Sequence, residues 1–171
     1  MVKITIIIPT YKRYDRISKV VENVLKQDYD NFEVVIVDDN GLGTFDQEQT
    51  FKSIENILAK NNNIKYICLT KNSGACQARN RGIKEATGEY VAFLDDDDFW
   101  HPSFLTEMVS TINKTDSKIV YANFYRIDEH GIFYNRKEEY YFGDIRDNLL
   151  NGWCPATTSL FCINRNLLIN Y

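Results

Sequence analysis

The sequence predicts an α/β fold: an open, mostly parallel, twisted sheet with helices on both faces, followed by a hairpin and an irregular C-terminal region. Three observations predict it. Four short apolar runs, at 3–8, 32–37, 64–69 and 90–94, are rich in β-branched and aromatic residues, as strands are. Segments with apolar residues at helical spacing stand between them. Strands that are apolar on both faces and alternate with helices belong to parallel sheets covered on both sides.

Each element has its own signal. Residues 3–8 form the first strand, stopped by Pro9. Ile17, Val20, Val21, Val24 and Leu25 give residues 15–27 a helical stripe, with Asp15 as the expected N-cap. The strand at 32–37 closes on Asp38-Asp39-Asn40-Gly41. A helix at 44–61 carries Phe45, Ile54, Ile57 and Leu58 and ends in Asn61-Asn62-Asn63. After the strand at 64–69 comes a polar loop at 71–74, then a helix at 75–86 stopped by Thr87-Gly88. The strand at 90–94 runs straight into Asp95-Asp96-Asp97-Asp98. Beyond it the sequence predicts a helix at 102–113 and a strand at 119–125. A hairpin should turn at Asp128-Glu129-His130-Gly131, and residues 136–151 show no period. A last strand is expected at 158–163, with a helix beginning at 164–169.

Composition narrows the function classes. The 171 residues suit one domain, and 44% hydrophobic with 26% charged residues is ordinary for a globular protein. A formal net charge of −4 argues against nucleic acid, whose backbone needs a basic face. No stretch approaches the ~20 apolar residues that cross a bilayer. Met1 to Pro9 has one charge and no small-residue cleavage site, so it reads as a strand rather than a signal. Cys68, Cys76, Cys154 and Cys162 contain no C-x-x-C pair, which leaves reduced thiols and a cytoplasmic location as the expectation.

In an open α/β sheet, ligands bind outside the carboxyl ends of the strands. Those ends carry Pro9-Thr10-Tyr11, Asp38-Asp39-Asn40 and Asp95-Asp96-Asp97-Asp98. Four adjacent carboxylates repel one another, and a divalent cation such as Mn²⁺ or Mg²⁺ would offset that repulsion through carboxylate oxygens. A solvated acidic loop, or an N-cap for the helix near Pro102, is the structural alternative, although Asp98 alone would serve as a cap. An EF-hand fails, because no glycine or glutamate follows Asp95 at the required places, and no phosphate-loop motif occurs. Asp38 or Asp39 can accept hydrogen bonds from a ribose hydroxyl or a base N–H, and Tyr11 can offer a flat face to a base. Turn formation and packing are the plainer roles. Asn72-Ser73-Gly74 is a small-residue loop before a helix, hospitable to anions, and makes Asn72 and Gly74 binding candidates. Arg79 sits in the early turns of that helix, where the dipole disfavours a cation, so it needs a phosphate or a carboxylate partner. A salt bridge to the acidic loop would be enough.

Four elements together resemble the family 2 glycosyltransferases of the GT-A, Rossmann-like fold. They are Ile7-Ile8-Pro9-Thr10-Tyr11-Lys12-Arg13; Phe32 through Asn40; Asn72-Ser73-Gly74 with Ala78-Arg79-Asn80; and Gly88 through Trp100 with Pro102. The resemblance implies a nucleotide-diphospho-sugar donor, most often a uridine one, and transfer of the sugar to an acceptor hydroxyl with inversion. It implies that Pro9, Thr10 and Tyr11 line a base pocket and that Asp39 binds base or ribose. Asp96 would lie near the ribose or sugar, and Asp97, with Asp95, would hold the metal. Arg79 would contact the diphosphate or brace the acidic loop. It also suggests a saccharide or glycolipid acceptor, a role in surface polysaccharide or glycoconjugate assembly, and peripheral association with the inner face of the membrane.

The sequence departs from that family in one respect. The general base expected in a Glu-Asp pair after the last strand does not occur by Tyr171, and Asp144 and Asp147 precede that strand. The expectation is therefore a single domain, truncated at its C-terminus, with a nucleotide-binding half at 1–100 and the start of an acceptor half at 101–171. Trp153 is a candidate for stacking on an acceptor sugar or for core packing. A non-catalytic nucleotide-sugar-binding module is the alternative. A nucleotidyltransferase is disfavoured, since that class has glycine-rich and basic residues where Pro9-Thr10-Tyr11 stands.

Overall fold

The computed structural model describes residues 1–127, 131, 133–135 and 157–170. In chain order the elements are β1 (Ile4–Thr10), α1 (Ile17–Val24), β2 (Phe32–Asp38), α2 (Phe45–Lys60), β3 (Ile64–Cys68), α3 (Ala75–Glu85) and β4 (Tyr90–Phe93). Then follow α4 (Phe104–Thr115), β5 (Ile119–Tyr121), β6 (Tyr125–Ile127) and β7 (Phe133–Asn135). A 3₁₀ turn at Thr158–Leu160 leads into β8 (Phe161–Asn164) and α5 (Arg165–Ile169).

The main sheet has the order β3-β2-β1-β4-β8-β5. β3, β2, β1 and β4 run parallel, while β8 lies antiparallel to both β4 and β5. The chain leaves β1 toward β2 and β3 on one side and returns to β4 on the other. This reversal puts the topological switch point between β1 and β4, where an α/β sheet opens a crevice beyond its strand ends.

Strand alternation sorts the core into two layers. Ile4, Ile6 and Ile8 of β1, Val34 and Ile36 of β2, and Tyr90 and Ala92 of β4 pack on one face against α1 and α4 and Ile54 of α2. Ile7, Val35, Val37, Val91 and Phe93 pack on the other, against Ala78 of α3 with Leu168 of α5. α3 approaches so closely that a Cβ on Gly82 would come within 2.4 Å of Ile7 Cγ2. Trp100 anchors the segment after β4: it stacks on Phe104 at 4.1 Å, exchanges hydrogen bonds with Asn23 of α1, and donates Nε1–H to the Ser159 carbonyl at 2.7 Å.

Four expectations need correction. Asp15 does not cap α1; Arg16 takes the cap position with no side-chain bond, because Arg16 and Ile17 already donate their backbone N–H groups to the Arg13 carbonyl. The strand expected at 119–125 breaks after Tyr121, where its pairing with β8 ends, and Tyr125 opens a separate two-stranded sheet with β7. The strand expected at 158–163 begins as the 3₁₀ turn, since Leu160 N–H bonds back to the Thr157 carbonyl. The helix expected at 102–113 starts and ends two residues later, with Ser103 rather than Asp98 at its N-cap position. The hairpin strands are present as β6 and β7; residues 128–130 of the turn, the segment 136–151 with Asp144 and Asp147, and Trp153 lie outside the described residues. No helix among the described residues is long and apolar enough to cross a membrane.

Candidate functional site

A cleft of about 520 Å³ opens over the C-terminal ends of β1, β2 and β4 and the N-terminus of α3. Pro9, Thr10, Tyr11, Asp39, Asn72, Gly74, Arg79, Asp95, Asp96 and Asp97 all line it, together with Arg13, Ala75 and Ala78. Asp38 does not. Its side chain shares the sheet face of Val34 and Ile36, fully buried, and accepts hydrogen bonds from Tyr66 Oη–H at 2.6 Å and from Asn40 N–H at 2.8 Å. Burial raises the Asp38 carboxyl above the usual range, against the lowering effect of these bonds. The role assigned to it as a donor contact is therefore corrected: Asp38 supports the β2 tip from below.

Asp39, one residue on, projects to the opposite side and fastens the loop before α3. Its Oδ1 accepts from Ser73 N–H at 2.7 Å; Oδ2 accepts from Gly74 N–H at 2.8 Å and Asn72 Nδ2–H at 3.2 Å. Gly74, with φ of 88°, adopts a backbone that a side chain would disfavour, and takes the N-cap position of α3. Asp39 thus ties the β2 tip to the start of a helix whose first turn faces the cleft.

The acidic loop begins where β4 ends. Asp96 is 8% exposed, accepts from Thr10 Oγ1–H at 2.8 Å, and has its carboxyl raised by burial, which outweighs the bonds and Arg13 charge that lower it. Asp98 is likewise raised by burial. Two arginines stand against the run. Arg79 Nη2 lies 2.5 Å from Asp95 Oδ1, the carboxylate partner that its position in the helix demanded. Its Nε is buried without a hydrogen-bond partner, as is Arg13 Nη1, so two donors beside the cleft remain unsatisfied. Arg13 Nη1 contacts Asp97 and lies 3.3 Å from Asp96 Oδ1. The close contact with Asp97 raises the Arg13 pKa further.

Arg13 is the residue that the sequence reading left without a role, although it stands in the first motif. A cation three residues beyond a strand tip that faces an acidic strand tip is the signal that would have found it. Tyr11 is 43% exposed at the cleft mouth, with Lys12 Nζ 5.3 Å from its ring centroid. The arrangement is a polar trough with an aromatic face at one end, carboxylates at the other, and an arginine beside a helix N-terminus. Among the described residues, no group of three or more His, Cys, Asp or Glu side chains is placed to enclose a metal.

Known proteins resemble this chain over the same region. The family model for Glycosyl transferase family 2 matches residues 5–170. UDP-Glc:alpha-D-GlcNAc-diphosphoundecaprenol beta-1,3-glucosyltransferase WfgD of Escherichia coli is 33% identical over 129 residues, 75% of this chain and 48% of that protein. S. aureus TarS 1-349, solved in complex with UDP-GlcNAc, is 33% identical with a TM-score of 0.58, over 68% of this chain and 33% of that one. Mannosyltransferase PcManGT of Pyrobaculum calidifontis, solved with GDP-Man and Mn²⁺, covers 99% of this chain and 46% of its own at a TM-score of 0.73. Its 22% identity makes it evidence for the fold alone. Among the first curated relatives matched, the chain spans 18% to 48% of their length.

Proposed function

This chain belongs to glycosyl transferase family 2, and on that premise we propose that it forms the donor site of a glycosyltransferase using a nucleotide-diphospho-sugar, with a UDP-sugar favoured. The observation that carries the reading is the convergence of Tyr11, Asp39, Arg79 and the Asp95–Asp97 run on one cleft. Tyr11 offers its ring to the base, and Asp39 and Asp96 bound the ribose end. The first turn of α3 and Arg79 offer N–H donors to the diphosphate. The UDP-GlcNAc bound to TarS and the UDP-Glc in the name of WfgD support the uridine reading.

A divalent metal, Mn²⁺ or Mg²⁺, fits these residues in one mode. Asp95 and Asp97, with side chains 30% and 42% exposed, offer hard oxygen ligands at the rim. With no third protein ligand among the described residues, the shell must be completed by water and donor phosphate oxygens, as such ions commonly are. When bound, the metal supplies stabilisation of negative charge on the leaving diphosphate. Transfer proceeds with inversion to an acceptor hydroxyl on a saccharide or glycolipid, in polysaccharide or glycoconjugate assembly at the cytoplasmic face of a membrane.

Calorimetric titration of UDP with and without Mn²⁺ tests the donor site. UDP binding should tighten at least tenfold with Mn²⁺, and Asp97→Ala should abolish that gain. Binding that ignores Mn²⁺ would remove the metal assignment, and no binding of UDP, GDP or dTDP would remove the donor-site assignment.

A further inference from the structure

The turn after β1 is set so that one arginine rests on the carboxylate assigned to the metal. Lys12 has φ of 55°, a left-handed conformation that non-glycine residues seldom adopt. Its N–H is held by Asn40 Oδ1 at 2.7 Å, and Asn40, itself buried, donates Nδ2–H to Thr50 Oγ1 of α2 at 3.2 Å. The tip of β2 and a helix behind it thus fix the turn that delivers Arg13 to Asp97 and Asp96. The two arginine pairs differ in access. The Arg79 side chain is 19% exposed, whereas Arg13 is 39% and Asp97 42% exposed. Arg13 Nη1 is itself buried and makes no hydrogen bond of good geometry, so charge alone holds the pair, and the exposed side of Asp97 is where an ion from solvent can compete.

We propose that Arg13 is a resident counter-cation of Asp97: it competes with a divalent metal while the cleft holds no nucleotide, and it turns to the donor's diphosphate when a nucleotide is bound. The inference rests on the donor-site reading. Its physical basis is charge. A guanidinium and a divalent ion on one carboxylate repel each other at contact distance, and the added anionic charge of a diphosphate relieves that repulsion. Metal affinity then depends on nucleotide, which keeps the acidic loop from collecting a metal before the donor arrives.

The test is Mn²⁺ titration followed by electron paramagnetic resonance on nucleotide-free protein, comparing wild type with Arg13→Gln, Arg13→Lys and Arg16→Gln. Arg16 is exposed at the start of α1, and its loss removes the same formal charge without touching the acidic loop. Arg13→Gln should bind Mn²⁺ roughly five- to tenfold more tightly than wild type, the scale of a partly exposed ion pair facing a doubly charged competitor. Arg13→Lys, which keeps the charge but loses the planar fork, should gain about twofold. Arg16→Gln should match wild type. With UDP present the advantage of Arg13→Gln should vanish, and its UDP affinity should fall about tenfold. Equal Mn²⁺ affinity in wild type and Arg13→Gln, including none in either, overturns the proposal, as does an equal gain in Arg16→Gln. If Arg13→Gln does not fold, Arg13→Lys decides by the same comparison. Failure of UDP to bind any of the proteins removes the donor-site reading instead, and the nucleotide-free comparison still judges Arg13.

Discussion

The carboxylate of Asp39 is 3% exposed and receives two backbone N–H groups and an amide, so its charge is matched by donors that only an acid with two free oxygens satisfies together. Asp39→Asn replaces one oxygen with NH₂ and sets a donor against a donor at Ser73 or Gly74. Leaving one of these part-buried donors unpaired costs about 1 kcal/mol. The expected outcome is faster amide hydrogen exchange at Ser73 and Gly74, with UDP binding weakened by more than tenfold; unchanged protection at both amides would show that Asp39 does not hold the loop. Sequence made the Asp38-Asp39 pair conspicuous but not the division of labour within it. That division follows from strand parity: β2 extends through Asp38, which keeps the facing of Val34 and Ile36, and Asp39 turns the other way. Arg13 escaped for a different reason. Its role depends on how far β1 and β4 extend relative to one another, and the register that pairs Ile7 with Phe93 is not written in either strand alone.

At the scale of elements, the parallel strands and their helices were legible because each has a continuous apolar run or a stripe of its own. The C-terminal elements were less so. β5 and β8 are three and four residues long, and their ends are set by mutual pairing rather than by local composition. α3 shows the converse, a helix whose sequence looks weak and whose packing explains why. Gly82 lies in its interior, where glycine is destabilising by about 1 kcal/mol relative to alanine. Yet Ile7 Cγ2 and Cδ1 would lie 2.4 and 3.0 Å from an added Cβ. Ile7 is fully buried and β-branched, so it has little freedom to move aside. Gly82→Ala should therefore destabilise the protein by about 1–3 kcal/mol despite its better helix propensity, because overpacking outweighs it. Chemical denaturation measures this, and pairing with Ile7→Ala, which removes Cγ2 together with Cγ1 and Cδ1, should cost less than the sum of the two single changes. A stabilised Gly82→Ala would mean that α3 can shift away from β1 freely. The same closeness holds Ala78 and Arg79 against the cleft, so UDP affinity should drop with the shift.

Across the whole molecule, the two ends of the sheet respond to pH in opposite senses. At the C-terminal end, burial raises the carboxyls of Asp38, Asp96 and Asp98, so whatever stability they lend is present at low pH and fades as pH climbs through their raised values. At the N-terminal end, Glu33 of β2 ties Lys3, just ahead of β1, and Thr5 of β1 to Thr87 ahead of β4, with bonds of 2.6 to 2.8 Å. Burial alone would raise the Glu33 carboxyl, but those partners hold it at about 2 instead of its ordinary 4.5. Its contribution is thus fully present above pH 4.5 and is lost as pH falls toward 2. With the side chain only 17% exposed, the shift corresponds to on the order of 2–3 kcal/mol near neutral pH. Glu33→Gln lies at the edge remote from the cleft, so urea unfolding at pH 7 should show a deficit of about that size while UDP affinity stays near wild type. At pH 3 the deficit should shrink by about half or more, because Glu33 is by then protonated in the unfolded chain and still mostly charged in the folded one, which narrows the linkage advantage. A deficit of equal size at both pH values would mean that Glu33 acts through shape and hydrogen-bond number alone, with its charge contributing nothing to the joining of β1, β2 and β4.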